Sequence, residues 1–141
     1  SLPAFEAAGD PDAYPDLGAP WQPKKLYYVV WSRARMLATH AKFTELGLES
    51  PFTEQWFERP SQDDRITTQV PTDGYQDVRL EALLAHATQV DPASPFWCGL
   101  PREVSREIHP FDDYILAKSL VDLPPHDAEH LETDLFAGLR P

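Results

Sequence analysis

Apolar and polar positions alternate along this chain in short blocks. The run Leu26–Trp31 is nearly all β-branched or aromatic, which predicts a strand buried on both faces. Ser32 is a suitable N-cap for a following helix, and Gly47 is suited to end that helix at about Leu46. The first clear unit is therefore a strand followed by a helix.

Weaker patterns continue this theme. Residues 65–70 alternate and stop at Pro71, which favours an edge strand. Apolar spacing predicts a helix from about Tyr75 to Gln89, which Asp91-Pro92 should stop. The remaining predictions are an apolar loop at 95–100, a short helix at 101–108 and a strand at 114–117.

The first 25 residues contain closely spaced prolines and glycines, which predict a short helix and then an irregular arm. Such an arm, with Phe5, Tyr14 and Trp21, normally packs along a larger body. The rest, residues 26–141, predicts one α/β domain of βα units and long loops. It has too few strands for a complete doubly wound domain.

Composition limits the functional classes. The formal net charge of the 141 residues is -11, which argues against nucleic-acid partners and anionic membrane surfaces. Apolar runs stay well below the roughly 20 residues of a membrane span. Cys98 has no second cysteine to pair with, and no signal-peptide pattern is present, so the expected location is the cytoplasm.

Two motifs resemble metal sites. His126-Asp127-Ala128-Glu129-His130 matches the inverted zinc-protease pattern H-x-x-E-H, but prolines precede it and only eleven residues follow, so we favour a solvated tail. His109-Pro110-Phe111-Asp112-Asp113 places an imidazole near two carboxylates. We favour a loop into the last strand, with both aspartates solvated.

The most informative cluster lies in the run from Ala85 to Pro92. His86, Thr88 and Gln89 are hydrogen-bonding groups at a predicted helix end, and they indicate either a buried structural network or the wall of a site. Phe96 and Trp97 follow shortly after, either as core anchors or as the wall of a pocket for an apolar group. Cys98 is interpreted as a small inert hydrophobe.

Several ordered stretches make the chain resemble the C-terminal half of the mycothiol S-conjugate amidases, which belong to the LmbE-like (PIG-L-like) zinc deacetylase family. The stretches are Ala4 to Asp10, Pro20 to Tyr28, Ile66 to Thr68, Leu84 to Pro92, Phe111 to Ser119 and Leu135 to Leu139. Together they extend over nearly the whole chain.

The resemblance implies a Rossmann-like α/β fold, of which this chain would hold an incomplete sheet. In the family, zinc and the catalytic aspartate come from H-P-D-D and H-P-D-H motifs, and neither occurs here. The expectation is therefore a chain with no zinc ligand and no catalytic residue, inactive alone and partnered by an N-terminal half. His86, Gln89, Phe96 and Trp97 would then be substrate-binding groups of the cavity.

Three functions remain open. The first is the C-terminal part of an amidase that cleaves mycothiol S-conjugates, in detoxification, to glucosaminyl-inositol and an acyl-cysteine conjugate. The second is the sister N-acetylglucosaminyl-inositol deacetylase of mycothiol biosynthesis. The third is a non-catalytic binding module. An incomplete sheet would also favour association between copies of the chain through unpaired strand edges.

Overall fold

The computed structural model describes residues 1–123 and 130–140. Their helices and strands follow one another as α1 (Leu2–Ala7), β1 (Lys25–Val30), α2 (Arg33–Glu45), α3 (Glu54–Glu58), a 3-10 turn (Asp63–Arg65), β2 (Thr68–Pro71), α4 (Gln76–Leu84), α5 (Pro95–Cys98), α6 (Arg102–Ile108) and β3 (Phe111–Ser119). The α/β class is confirmed. None of the described helices is long and apolar enough to cross a membrane.

The sheet of the described residues has three strands in the order β1-β3-β2. β3 is antiparallel to both neighbours, so that Tyr114 is paired with Val29 on one side and with Thr68 on the other. β1 and β2 therefore run in the same direction, as strands of βα units do, but β3 lies between them. The predicted strand at 114–117 is longer than expected and central, and the prediction of an edge position for β2 is confirmed.

The prediction that β1 is buried on both faces is wrong. Val30 is buried, but Val29 is 76% exposed and Tyr28 is also exposed. Successive strand residues point to opposite faces, and the side chain of Val29 meets no covering element in the described part of the chain. The apolar run therefore predicts the strand correctly but overestimates how much of it is buried.

α2 begins and ends where the sequence predicts. The Ser32 hydroxyl accepts a hydrogen bond from the Arg35 amide at 3.3 Å. The first turn is also held by Asp63, whose carboxylate accepts from the amides of Arg33 and Ala34 at 2.8 and 2.9 Å. Burial alone would raise the pKa of Asp63, but these amide donors hold it below its ordinary value.

At its other end, α2 stops at Glu45, and Gly47 adopts a φ of +68°. This left-handed conformation is the one in which glycine commonly follows a helix end, because it carries no Cβ. The helix buries Phe43.

The predicted helix at 75–89 is confirmed as far as Leu84 and is wrong in its last five residues. α4 ends at Leu84, and consecutive turns follow, in which the amides of Gln89 and Val90 both donate to the His86 carbonyl. These turns bring Val90 into the core, where it is buried. The predicted loop at 95–100 likewise contains the short helix α5.

Within residues 1–123 and 130–140, six apolar side chains form the buried core: Phe5, Val30, Phe43, Phe52, Val90 and Ile115. Phe5 anchors the N-terminal arm, and the Gln22 side chain donates to its carbonyl at 3.2 Å. The expected packing holds for Phe5 only, because Tyr14 and Trp21 are exposed. The division into an arm at 1–25 and a domain from residue 26 stays a prediction.

Candidate functional site

A cleft of about 910 Å³ opens beside the start of β3, between α2, α4, α5 and α6. Its volume lies within the range of small-molecule pockets. One part of its lining is aromatic and another is charged. The charged lining residues are Arg35, Asp77, Arg79, Arg102, Arg106 and Asp112, and His109 lies beside them.

The aromatic wall consists of Trp31, Phe96 and Trp97. The ring centroid of Phe96 lies 4.7 Å from that of Trp97 and 5.1 Å from that of Trp31. Pro95 at the first turn of α5 suits a helix start, and this short helix carries both Phe96 and Trp97 to the cleft. The rings support one another in edge and tilted contacts, which favour a preformed apolar surface.

Two arginines meet one carboxylate on the charged side. Arg79 Nη2 lies 2.7 Å from Asp112 Oδ1, and Arg35 Nη1 lies 3.4 Å from the same oxygen. The Arg35 guanidinium also lies over the Trp31 ring, 5.3 Å from its centroid. Burial, and secondly the charge of Arg79, lower the pKa of Arg35 from its ordinary value.

Behind this pair lies a buried carboxylate, Asp113, at 1% exposure. It accepts hydrogen bonds from the Ser32 hydroxyl at 2.6 Å and from the Gln69 amide at 2.9 Å. His109 Nε2 lies 2.8 Å from the same carboxylate, and its ring packs on Phe111 with 4.0 Å between centroids. The network ties α2, β2 and the segment before β3 to one group.

The sequence interpretation of both aspartates as solvated is therefore wrong for Asp113 and holds only in part for Asp112, which is partly exposed. Asp113 is enclosed, and Asp112 is ion-paired at the cleft. The alternation of side chains along a strand is the signal that indicates the burial of Asp113. In a strand that begins at residue 111, Asp113 and Ile115 are on the same face, and both are buried in β3. Ser32 was assigned only a capping role, yet its hydroxyl also donates to Asp113.

The predicted substrate-binding residues are only partly brought together. His86, Phe96 and Trp97 line the cleft, whereas Gln89 does not and is exposed, with its amide donating to Thr88 at 3.3 Å. His86 and Thr88 are exposed as well, so the interpretation of this cluster as a buried network is wrong. The binding roles of His86, Gln89, Phe96 and Trp97 stay predictions.

The described residues do not form a zinc site on their own. In 1–123 and 130–140, no group of three or more His, Cys, Asp or Glu side chains is placed to hold a metal ion. His109 and Asp113 contact each other, but the Asp113 carboxylate is already engaged by Ser32 and Gln69. Residues 126–129 of the H-x-x-E-H motif lie outside the described residues.

A second buried carboxylate lies away from the cleft. Glu132 contacts Lys25 Nζ and the Tyr27 hydroxyl, each at 2.5 Å, and accepts from the Thr68 hydroxyl at 3.0 Å. Its backbone pairs with β2, since the Gln69 amide donates to the Glu132 carbonyl at 2.8 Å. The Glu132 segment is thereby fixed against the edge of the sheet.

The contacts of Glu132 also shift pKa values. Burial would raise the pKa of Glu132, but hydrogen bonds from Lys25, Tyr27 and Thr68 hold it below its ordinary value. Burial, and then the hydrogen bond to Glu132, raise the pKa of Tyr27 well above its ordinary value.

Comparison with known proteins shows that the chain is similar to a mycothiol S-conjugate amidase and to inositol deacetylases, as the sequence motifs indicated. It is 42% identical to the mycothiol S-conjugate amidase of Streptomyces coelicolor, over 99% of this chain and 48% of that protein. It is 32% identical to 1D-myo-inositol 2-acetamido-2-deoxy-alpha-D-glucopyranoside deacetylase 1 of Frankia alni, over 98% of this chain and 48% of that protein. The chain is therefore a relative of the mycothiol S-conjugate amidases and the inositol deacetylases.

The chain spans about half the length of these curated relatives. No family model and no solved structure matches it.

Proposed function

We propose that the chain is the C-terminal part of an amidase that hydrolyses mycothiol S-conjugates to glucosaminyl-inositol and an acyl-cysteine conjugate. The observation that carries this proposal is the 42% identity to a mycothiol S-conjugate amidase across 99% of the chain. The deacetylases that it matches are less similar, for example 32% and 34% identical. In the proposal, the enzyme acts in the cytoplasm and in detoxification.

The cleft supports this proposal through its shape and chemistry. A conjugate joins a polar sugar-inositol to an acyl-cysteine that carries a variable group, and the cleft combines an apolar aromatic wall with charged and hydrogen-bonding groups. Phe96 and Trp97 would contact the variable group, and His86 would contact polar atoms of the substrate. Gln89 would require a rearranged turn, or the other part of the enzyme, to reach the same substrate.

The remainder of the proposal concerns the complete enzyme. Its fold is Rossmann-like and of the LmbE type, and the three-stranded sheet seen here forms one part of the larger sheet. The N-terminal half would hold zinc, which would supply Lewis-acid activation of water. In this proposal the chain shapes and lines the cavity, and it is inactive alone, because the family's H-P-D-D and H-P-D-H motifs do not occur in its sequence.

The experiment compares two proteins under identical zinc concentrations. The 141-residue chain and the longer protein, extended upstream by the open reading frame, are assayed with a fluorescent mycothiol conjugate. We expect amide cleavage by the longer protein and none by the chain. Cleavage by the chain alone would contradict its assignment as a non-catalytic part, and an upstream region without zinc motifs would contradict the enzyme assignment.

A deacetylase that acts on the unconjugated N-acetyl sugar-inositol is the second candidate. It is favoured by the matches to deacetylases at 31–34% identity over most of the chain. The two candidates are separated by kcat/KM of the longer protein on each substrate. Preference for the conjugate supports the amidase, and preference for the N-acetyl sugar supports the deacetylase.

A further inference from the structure

The cleft is electropositive in an acidic protein. Four arginines and two aspartates line it, whereas the whole chain carries a formal net charge of -11. Asp77 is occupied by Arg106, whose Nη2 lies 2.5 Å away. Asp113 lies buried behind the cleft, held by Ser32, Gln69 and His109, and its negative charge acts on Arg35 as that of Asp112 does. A surplus of one positive charge therefore remains among Arg35, Arg79 and Arg102.

Arg35 and Arg79 differ from ordinary surface arginines because they share a single acceptor. Both approach Asp112 Oδ1, Arg79 closely and Arg35 at the longer distance of 3.4 Å. A guanidinium has several N–H donors in a planar fork that suits a carboxylate, so one shared oxygen leaves most of these donors unused. The two arginines thus have the capacity to bind a further anion.

The aromatic wall lies directly beside this pair. Trp31 contacts Arg35 on one side and Phe96 on the other, so the cationic and the apolar surfaces are continuous. A ligand that used both surfaces would carry a negative group next to a large apolar group. The planar fork of arginine favours a carboxylate as that negative group.

We propose that this cleft binds organic carboxylates that carry an aromatic or bulky apolar group. Arg35 and Arg79 hold the carboxylate, and Trp31, Phe96 and Trp97 contact the apolar group. The identity of the physiological ligand rests on the proposed function. Hydrolysis breaks the amide C–N bond, adds the water oxygen to the acyl carbon and gives the proton to the amine, so the acyl half leaves as a carboxylate. The cleft is then a site for the acyl-cysteine product.

The test measures binding to the 141-residue chain by titration calorimetry. The probe is N-acetyl-S-benzylcysteine, and its carboxamide is the matched neutral ligand. We expect the acid to bind about tenfold more tightly than the amide, because charge-assisted contacts to arginine are lost in the amide. Arg79→Gln should weaken binding of the acid about tenfold. Arg102→Gln makes the same change of charge in the same cleft, away from Asp112, and should weaken binding less than about threefold.

A gain of affinity separates the proposal from misfolding. Asp112→Asn removes the carboxylate that competes for both arginines, so the acid should bind several times more tightly to this variant. Equal affinity for acid and amide, equal losses in Arg79→Gln and Arg102→Gln, or weaker binding by Asp112→Asn would each overturn the proposal. A different result would refute the proposed function and leave this site in place. In that case, the chain binds the acid as expected, but the longer protein cleaves no mycothiol conjugate.

Discussion

Two buried carboxylates, Glu132 and Asp113, lie in different parts of this molecule and are satisfied in different ways. Glu132 has its own cation, because Lys25 lies against it with only 2% of its side chain exposed. Asp113 is held by neutral donors from Ser32 and Gln69 and by His109, which lines the cleft. The first is a charge pair that fastens a segment to the sheet, and the second is a hydrogen-bonded support behind a candidate site.

The difference teaches how the same chemical group serves two purposes. Removing one charge of a buried pair leaves the other uncompensated, which is costly. Removing a charge that is held by neutral donors costs only hydrogen bonds. Matched amide substitutions, Glu132→Gln and Asp113→Asn, therefore test the comparison directly.

The largest effect is expected for Glu132→Gln. It keeps the side-chain shape but leaves the Lys25 ammonium buried without a counterion, which should cost about 3 kcal/mol or more of the free energy of unfolding. Urea unfolding monitored by circular dichroism measures the change. The double variant Lys25→Met with Glu132→Gln is the control and should recover part of the loss. A double variant that is less stable than the single one would refute the charge-pair account.

A smaller loss of unfolding free energy, about 1–2 kcal/mol, is expected for Asp113→Asn. The asparagine oxygen can still accept a hydrogen bond, but its NH2 group faces one of the donors that Asp113 binds, the Ser32 hydroxyl or the Gln69 amide. The same unfolding experiment measures it. The comparison between the two carboxylates breaks down if Asp113→Asn is as costly as Glu132→Gln.

Acid should reduce the difference in unfolding free energy between wild type and Glu132→Gln. The pKa of Glu132 in the folded protein lies below the ordinary value of 4.5, so its stabilisation is present above that value and is lost as pH falls through the folded pKa. The difference in unfolding free energy between the two proteins should therefore shrink below about pH 4.5. The stability that wild type loses through Glu132 at low pH should not exceed the loss that the substitution causes at neutral pH. Unfolding midpoints at a series of pH values check this, and a difference that grows on acidification would contradict the assigned pKa direction.

The smallest effect on stability is expected for Asp112→Asn. Asp112 and its two arginines are partly exposed, so the loss should be less than about 1 kcal/mol. A thermal melt of this variant compared with that of Asp113→Asn distinguishes the cleft carboxylate from the buried one behind it. A larger loss in Asp112→Asn would assign Asp112 a structural role.

The sequence was sufficient where short-range chemistry decides the structure. The ends of α2 followed from Ser32 and Gly47, because capping acts within one turn. It was insufficient where distant segments meet. Nothing near Asp113 reveals that Gln69 and Ser32 will converge on it, and nothing near Leu84 shows that Val90 will be drawn into the core.

The candidate site shows the same limit. Phe96 and Trp97 were predicted as possible walls of a pocket from their position in an apolar segment, and they do line the cleft. Arg35 and Arg79 were not singled out, because their convergence on Asp112 depends on α2, α4 and β3 together. Gln89 was singled out from its neighbours in sequence, although the turn after α4 points it away from the cleft lining.

The order of the strands has a consequence for how the chain is made. β1 and β2 are synthesised before β3, yet β3 is the strand with which both of them pair, and β2 also pairs with the still later Glu132 segment. When synthesis has reached residue 110, β1 and β2 therefore still lack the strand that pairs with both of them in the folded structure. Closing the sheet requires contacts across 80 or more residues of sequence, such as Val30 with Asp113, which favours slow, late assembly. Until β3 is available, the order of the ribosome-bound chain comes from its local helices, and its unpaired strand edges can associate with other chains.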